Sequence, residues 1–273
     1  MKEARYFFVP DADRVGELPQ DEATHAIRVL RLQPQDEIFL MDGKGTFYRA
    51  EITLVTNKKC MYQIVETLPQ QPSWRGHLHL AIAPTKMMER IEWMAEKTTE
   101  IGFDELSFLN CRFSERTKLR IDRIEKIVVS AVKQSRKAWM PVLNDMQGFK
   151  QFIDAHATGH RYICHCYDEF PRENLFSILS QNNIASTSAE GTKPSVLNKE
   201  RSADGLNQSV LDKEPSANED IIVLVGPEGD FSVDEVQYAL AHGYESVTLG
   251  TSRLRTETAG LMAVTMMNLT SAI

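Results

Sequence analysis

The chain has 273 residues, of which 42% are hydrophobic and 25% charged, enough apolar material for one large core or two smaller ones. No run approaches the roughly 20 consecutive apolar residues that span a bilayer, and the opening MKEARYFFVPDADRVGEL lacks a continuous apolar signal-peptide segment, so a soluble cytoplasmic protein without a membrane partner is expected. The net charge of −7 argues against a nucleic-acid binder only until it is divided along the chain: residues 111–140 carry nine basic and three acidic residues, a basic patch that the average conceals.

From the N-terminus, YFFVP, DEIFLMDG, TFYRAEITLVT and KCMYQIVETL read as short strands separated by turn signals such as DGKG, a spacing that suggests a small β-barrel. DEATHAIRVLRL interrupts them as a helix with Ile27, Leu30 and Val29 inward and Arg28 and Arg31 outward. The polar LPQQPSWRG marks a boundary between a first domain, residues 1–71, and a second, residues 72–273.

Strands and helices then alternate, the signature of an α/β layer fold. HLHLAIAP is a strand. KMMERIEWMAEKTTEIG is a helix with Met87, Ile91, Met94, Ala95, Thr98 and Ile101 on one face, closed by Gly102. FDELSFLN is a strand, and RIDRIEKIVVSAVKQSRKAW a second amphipathic helix with Ile121, Ile124, Val128, Ala131 and Val132 inward and Lys126, Lys133, Arg136 and Lys137 facing solvent.

RYICHCY is a further strand. Cys60, Cys111, Cys164 and Cys166 lack a zinc-ligand spacing; they read as reduced, mostly buried thiols, His165 as a structural histidine, and no metal is expected. The segment of about 181–219 is rich in Ser, Asn, Thr, Glu and Lys and reads as a disordered or surface insertion without catalytic residues. DIIVLVGPEGDFSVDEVQYALAHG then gives a buried strand, a turn at Gly226–Asp230, and a helix opened by a capping box of Ser232 and Glu235. YESVTLG is the last strand.

Two loops share one design, a buried strand, a glycine turn and a helix: VGPEGD and LGTSRLRTET. In an open α/β sheet such turns are where ligands bind, and Gly226, Gly229 and Gly250 would let backbone groups approach a flat ligand such as adenine. Neither a GxxxxGKS nor a strand-linked GxGxxG is present, so a phosphate cradle or dinucleotide site is not supported. GPEG alone could be merely a turn. The second loop adds Arg253, Arg255, Thr256, Glu257 and Thr258 at the start of a Met-rich helix, more polar chemistry than a helix start requires.

VGPEGDFSVDEV followed by LGTSRLRTETAGLMAV, with EKTTEIGF and SERT upstream and HAIRVLRLQPQDEI near the N-terminus, resembles the RsmE family of 16S rRNA uridine-N3 methyltransferases. The resemblance covers nearly the whole chain outside the polar insertion. It implies a PUA-like N-terminal barrel for RNA binding, a C-terminal SPOUT domain with a trefoil knot, S-adenosylmethionine as methyl donor, and a homodimer. The apolar residues Leu261, Met262, Val264, Met266, Met267 and Leu269 go round more of the helix that includes Ala259 to Met267 than one core face needs, so this helix is expected to contribute to the dimer. The substrate implied is 16S rRNA within an assembled small ribosomal subunit. The chain departs from the family pattern at Asp230, where a second glycine is frequent, and at QSRKAW, where a glycine-arginine pair is common.

Carried onto this sequence, the resemblance implies that Leu224, Gly226, Pro227, Gly229, Leu249, Gly250, Leu254 and Thr256 hold the cofactor chiefly by backbone, with Thr258 and Ala259 lining the wall. Glu228 could answer the sulfonium or amino group, or simply cap a turn. Glu257 is the candidate proton acceptor and Arg255 the candidate donor to charge developing on the uracil oxygens; the alternative is a pair that only favours the helix dipole. Arg28, Arg31, Arg112, Ser114, Arg116, Arg120, Lys133 and Arg136 would form the RNA surface. Two rival functions remain open: methylation of a different RNA nucleotide or ribose, and a non-catalytic RNA-binding role in ribosome assembly.

Overall fold

The computed structural model describes residues 4–190 and 220–273. In the N-terminal part, β1 (Tyr6–Phe8), β2 (Glu37–Met41), β3 (Thr46–Val55) and β4 (Cys60–Pro69) form one four-stranded sheet in that order, parallel between β1 and β2 and antiparallel elsewhere. Alternation along the strands sends Ile38, Leu40, Tyr48, Ala50, Ile52, Cys60 and Tyr62 into one core with Phe7 and Leu32. At the DGKG turn, the Asp42 carboxylate accepts the backbone N–H groups of Lys44 at 2.7 Å and Thr46 at 3.0 Å.

The helical segment between β1 and β2 differs from its expected form. α1 (Gln20–Thr24) passes into a π turn at His25–Val29, where the Leu30 N–H reaches the His25 carbonyl five residues back at 3.1 Å. The wider turn rotates the inward face: Ala23 and Ala26 are buried, Ile27 and Leu30 half-buried, and Val29 points out with 65% exposure. Arg28 and Arg31 are exposed as expected.

In the C-terminal part, β5 (Leu78–Ile82), β6 (Glu105–Asn110), β7 (Val142–Gly148), β8 (His160–Cys164), β9 (Glu173–Asn174), β10 (Ile221–Val225) and β11 (Glu245–Thr248) form a wholly parallel sheet in the order β7-β6-β5-β10-β8-β11-β9. The central strands LHLAI and IIVLV are buried at every position, as strands covered on both faces must be. α2 (Met88–Ile101), α3 (Ile121–Ser135), α5 (Leu175–Glu190) and α7 (Thr256–Ser271) cover one face, and α4 (Phe149–Ala155) and α6 (Val233–Ala241) the other. β7, α4, β9 and α5 were not anticipated from sequence.

α2 buries Ile91, Met94, Ala95 and Thr98 as its pattern predicts, while Met87, which precedes the helix as its N-cap, is half exposed. α7 lies tight on β5 because Gly260 has no side chain: a Cβ there would stand 2.9 Å from Ile82 Cδ1. α5 continues to Glu190, so the first ten residues of the expected insertion are helix instead; residues 191–219 lie outside the described residues.

The two sheets are joined through α3 and the segment after it. The Met140 N–H donates to the Gly43 carbonyl at 2.9 Å and the Gly45 N–H to the Ala138 carbonyl at 3.0 Å, with the Trp139 ring against Gly45. Lys133, expected to face solvent, instead donates to both carboxylate oxygens of Glu22 on α1, at 2.6 and 2.8 Å. Lys137 is likewise turned inward, donating to the Ile101 carbonyl at 3.0 Å.

Candidate active site

Strand order decides where the site falls. β8 lies between β10 and β11, so the loops leaving the carboxyl ends of these three neighbours converge at one end of the sheet, beside the point where the order reverses toward β5 and β6. They enclose a cavity of about 1000 Å³. Its wall takes Val225 to Glu228 and Asp230 from the β10 loop, Val247 to Leu254 from the β11 loop, Arg255 to Glu257 and Ala259 from the start of α7, and Arg90 from α2.

Of the cofactor residues expected from sequence, Gly226, Pro227, Glu228, Leu249, Gly250, Leu254, Thr256 and Ala259 line this cavity. Leu224 does not: its side chain is buried in the core on the α4 and α6 face. Gly229 is also off the cavity, packed against Phe113. Thr258 lines a second, adjoining cavity of about 620 Å³ together with Glu89, Arg90, Trp93, Arg253, Leu254, Arg255 and Glu257.

The third wall, missed at the sequence level, is the loop after β8, with Cys164, His165, Cys166, Asp168, Phe170, Pro171 and Arg172. Its conformation is fixed by bonds to its neighbours. The Cys166 N–H donates to Asp230 Oδ2 at 2.8 Å, the Tyr167 hydroxyl to the Phe231 carbonyl at 2.7 Å, and Arg172 to the His165 carbonyl at 2.7 Å. His165 Nδ1 accepts the Tyr167 N–H, so Nε2 carries the proton shared with Ser246 Oγ at 2.8 Å. Burial pushes the His165 imidazole below its usual range and the Cys164 and Cys166 thiols above theirs, so these side chains present neutral groups at neutral pH. Two of the four cysteines, Cys60 and Cys111, are buried. No group of His, Cys, Asp and Glu among the described residues has the arrangement of a metal site.

The other loops are held with similar economy. Glu228 Oε1 accepts the Lys86 N–H at 2.8 Å, tying the β10 loop to the β5–α2 connection. The capping box of Ser232 and Glu235 opens α6 as expected, and Glu235 Oε1 also accepts the Arg112 N–H at 2.8 Å. Gly250 has φ +133°, a conformation open only to glycine without strain.

Glu257 stands at the junction of the two cavities. It is 7% exposed; Oε1 lies 3.6 Å from Arg90 Nη1, and the buried Oε2 has no hydrogen-bond partner. A buried carboxylate oxygen left unpaired is costly, so its retention beside a cavity marks a place for a ligand donor. Arg255 is the N-cap of α7, supplies no side-chain cap, and like Arg253 is exposed without a side-chain partner among the described residues.

The expected RNA residues divide into two groups. Arg116 donates to the Thr85 and Lys86 carbonyls, Ser114 Oγ accepts the Cys111 N–H at 2.9 Å, and Lys133 is held by Glu22, so these polar groups are engaged within the fold. Arg28 and Arg31 carry exposed side chains with no side-chain partner among the described residues. Arg136 is exposed over the Tyr6 ring, Arg112 lies 3.6 Å from Asp234, and Arg120 pairs with Asp122 at 2.8 Å.

Comparison with known proteins decides the family. Residues 72–189 and 175–268 match the RNA methyltransferase domain family, and residues 18–60 the RNA methyltransferase PUA domain family. A relative in Synechocystis, named ribosomal RNA small subunit methyltransferase E, is 26% identical over 88% of this chain and 68% of its own length. The chain belongs to the RsmE family of RNA methyltransferases. Among solved structures, a probable rRNA-methyltransferase from Porphyromonas gingivalis is 36% identical, with a TM-score of 0.77 and 98% of each chain covered. A ribosomal RNA small subunit methyltransferase E from Neisseria gonorrhoeae bound to S-adenosyl methionine shares the fold at 24% identity, with a TM-score of 0.70 over 96% of this chain and 95% of that one. This RsmE-family chain therefore combines an N-terminal PUA-type unit with a SPOUT-type α/β layer.

Proposed function

We propose that the protein transfers a methyl group from S-adenosylmethionine to N3 of a uridine in 16S ribosomal RNA. The observation that carries the reading is the partnerless Oε2 of Glu257, buried between two cavities. The larger cavity fits the donor: apolar Val225, Leu249, Leu254 and Ala259 can face an adenosine, and glycine-bearing loops bring backbone groups close. The carboxylates of Glu228, Asp230 and Glu257 suit a ligand carrying positive charge. Among the expected cofactor residues, we keep Gly226, Pro227, Glu228, Leu249, Gly250, Leu254, Thr256 and Ala259.

When bound, S-adenosylmethionine supplies an electrophilic methyl on a cationic sulfur. The chain's own task is to prepare the acceptor. Uracil N3 carries a proton that must leave before the nitrogen can act as a nucleophile, and Glu257 Oε2 has the free acceptor capacity to take it. Arg255 can donate to a uracil carbonyl oxygen as negative charge spreads onto it. Because α7 begins at Thr256, the first-turn N–H groups of the helix also favour negative charge at this point.

We infer that residues 1–71 form the RNA-binding unit and that docking uses Arg28 and Arg31, with Arg112, Arg120 and Arg136 from the second unit, residues 72–273. The substrate reading is an assembled small subunit in the cytoplasm, where phosphate contacts position the RNA and the cavity selects the base. We further infer a homodimer through α7. Met262 and Leu269 stand one helical heptad apart on its surface with 36% and 63% exposure, more apolar area than packing on the sheet requires. No helix among the described residues is long and apolar enough to cross a membrane.

The test is mass-spectrometric mapping of methylated nucleosides in ribosomal RNA from cells with and without the protein. Loss of one N3-methyluridine from the small-subunit RNA is expected. An unchanged small-subunit pattern overturns the assignment.

A further inference from the structure

The larger cavity accounts for a donor but leaves its neighbour unassigned. The second cavity, about 620 Å³, is open to solvent and shares Glu257, Leu254, Arg253, Arg255 and Arg90 with the first. Its outer wall is Trp93 on α2, an indole left 43% exposed. α2 does not need that side chain for packing, since Ile91, Met94, Ala95 and Thr98 already form its buried face. Arg253 and Arg255 stand on the same wall without side-chain partners among the described residues.

We propose that this second cavity is the acceptor site, in which a uracil extruded from RNA stacks on Trp93 and is selected by Glu257 and the flanking arginines. The proposal rests on the methyltransferase reading above and deepens it by naming the base-binding platform and the basis of base choice.

Three chemical features support one occupant. An aromatic side chain exposed in a cavity that charged side chains also line offers a π-face that any base can stack on, the usual way a protein holds an unpaired nucleotide. Two free guanidinium groups beside it suit the phosphate that an extruded nucleotide brings along. The edge of uracil presents acceptor, donor, acceptor at O2, N3–H and O4; cytosine presents acceptor, acceptor, donor. Glu257 Oε2 is an acceptor without a donor, Arg90 Nη1 lies 3.6 Å from the other oxygen of the same carboxylate, and Arg255 stands on the same wall. That set pairs with uracil and places a carboxylate against the N3 lone pair of cytosine, which repels it. Stacking supplies affinity, while the edge contacts supply discrimination.

The reaction requires only what the proposed function already supplies. The N3–H bond breaks with its proton passing to Glu257, the N3 lone pair forms the bond to the methyl carbon, and the methyl–sulfur bond breaks with its electrons remaining on sulfur.

Two measurements separate this proposal from the reading beneath it. In the first, uridine 5′-monophosphate and cytidine 5′-monophosphate are titrated against intrinsic tryptophan fluorescence of the full chain saturated with S-adenosylhomocysteine. Quenching is expected with the uridine nucleotide at several-fold lower concentration than with the cytidine nucleotide, and is expected to vanish in Trp93→Leu. Quenching that persists in Trp93→Leu, or no quenching by either nucleotide, overturns the platform whether or not the enzyme methylates RNA. In the second, small subunits from cells lacking the protein are methylated by wild type, Trp93→Ala and Trp93→Phe, with S-adenosylmethionine affinity and sedimentation measured alongside. Trp93→Ala is expected to lower kcat/KM for the subunit by about tenfold or more, as loss of a base stack does, with cofactor affinity within twofold, unchanged mass and partial recovery in Trp93→Phe. Wild-type kinetics in Trp93→Ala overturn the proposal, and so does a loss of activity accompanied by a fall in sedimenting mass, which would make the indole part of a contact between copies of the chain. If wild type itself methylates no ribosomal RNA, the function falls with the acceptor assignment, and the fluorescence result then states whether a nucleotide pocket exists.

Discussion

Asp230 Oδ2 accepts the backbone N–H of Cys166 at 2.8 Å, so a residue of the β10 loop holds the loop after β8 in place. The same carboxylate accepts the N–H of the following Phe231 through Oδ1 at 2.8 Å, which supports Asp230 in a left-handed conformation with φ +68°. Glycine adopts that conformation freely, and among the other residues Asp and Asn do so most readily, since their short side chains can bond locally. The departure from the family pattern at this position thus keeps the backbone shape and adds a clasp between two walls of the donor cavity.

Asp230→Gly is therefore expected to leave the fold intact, because the φ is met, and to weaken S-adenosylmethionine binding roughly fivefold to tenfold as the β8 loop loses a hydrogen bond to a charged acceptor. Asp230→Asn, which keeps the left-handed preference and one acceptor oxygen, should fall between the two. Calorimetric titration reads the affinity. Equal affinity in all three proteins would show that the clasp plays no part in shaping the cavity.

Lys133 and Glu22 make the next case. The pair joins α3 to α1 with side-chain exposures of 25% and 11%, partly removed from solvent screening. Removing the lysine strands a mostly buried carboxylate, so Lys133→Ala is expected to cost about 1–2 kcal/mol and lower Tm by a few degrees. It should leave the salt dependence of RNA binding unchanged, whereas Arg28→Ala should flatten it by removing a phosphate contact. A Lys133→Ala protein of wild-type stability and reduced salt slope would reverse these two assignments.

How much of this could be read beforehand depended on whether the signal was local. RLRTET exceeded the needs of a helix start within six residues, and the structure places its Glu257 at the junction of the cavities. Lys133 carried no such signal: its partner is 111 residues away, and a basic residue on an amphipathic helix looks the same whether it meets solvent or a distant glutamate. The side of the sheet that Leu224 faces carries no local signal either, because β10 is buried on both faces and its five apolar residues show no alternation. The β8 loop was overlooked for a topological reason. RYICHCY announces a strand, but that it lies between β10 and β11 is a property of sheet order, which no stretch of ten residues encodes.

A pH effect follows from the opposite end of the sheet. His79, at the start of β5, is driven down to about 4 by burial, with Glu105 acting in the opposite direction and His156 and His77 in the same one. His77 is raised above its ordinary value by its 2.7 Å hydrogen bond to Glu105, and Glu105 is brought down to about 2, first by that bond. The unfolded chain protonates His79 near pH 6.5 while the folded chain resists until about 4, so its contribution to stability declines as pH falls across that window. Glu105 adds a further loss from about 4.5 down to about 2, whereas His77 acts above these windows and with the opposite sign, its stability present in full below 6.5 and lost as pH rises through its higher folded value. Urea denaturation should therefore show stability falling between pH 6.5 and 4 by more in wild type than in His79→Gln. A His79→Gln profile parallel to that of wild type would assign the acid sensitivity to other groups.

Glu257→Gln tests the chemistry with the smallest change of shape. The amide fills the same volume at a 7% exposed position, and it removes the charge facing Arg90 at 3.6 Å together with the ability to accept a proton. If Glu257 only favoured the dipole of α7, the loss would be a few tenths of a kcal/mol in stability and turnover would be nearly unchanged. If it takes the N3 proton, kcat on saturating small subunits should fall by about a hundredfold or more, with S-adenosylmethionine affinity within a few-fold of wild type. Arg255→Ala should also lower kcat with little change in S-adenosylmethionine affinity, because it removes a donor to a uracil carbonyl oxygen and leaves the proton acceptor in place. Wild-type turnover in Glu257→Gln would falsify the proton-acceptor role and return the residue to the start of a helix.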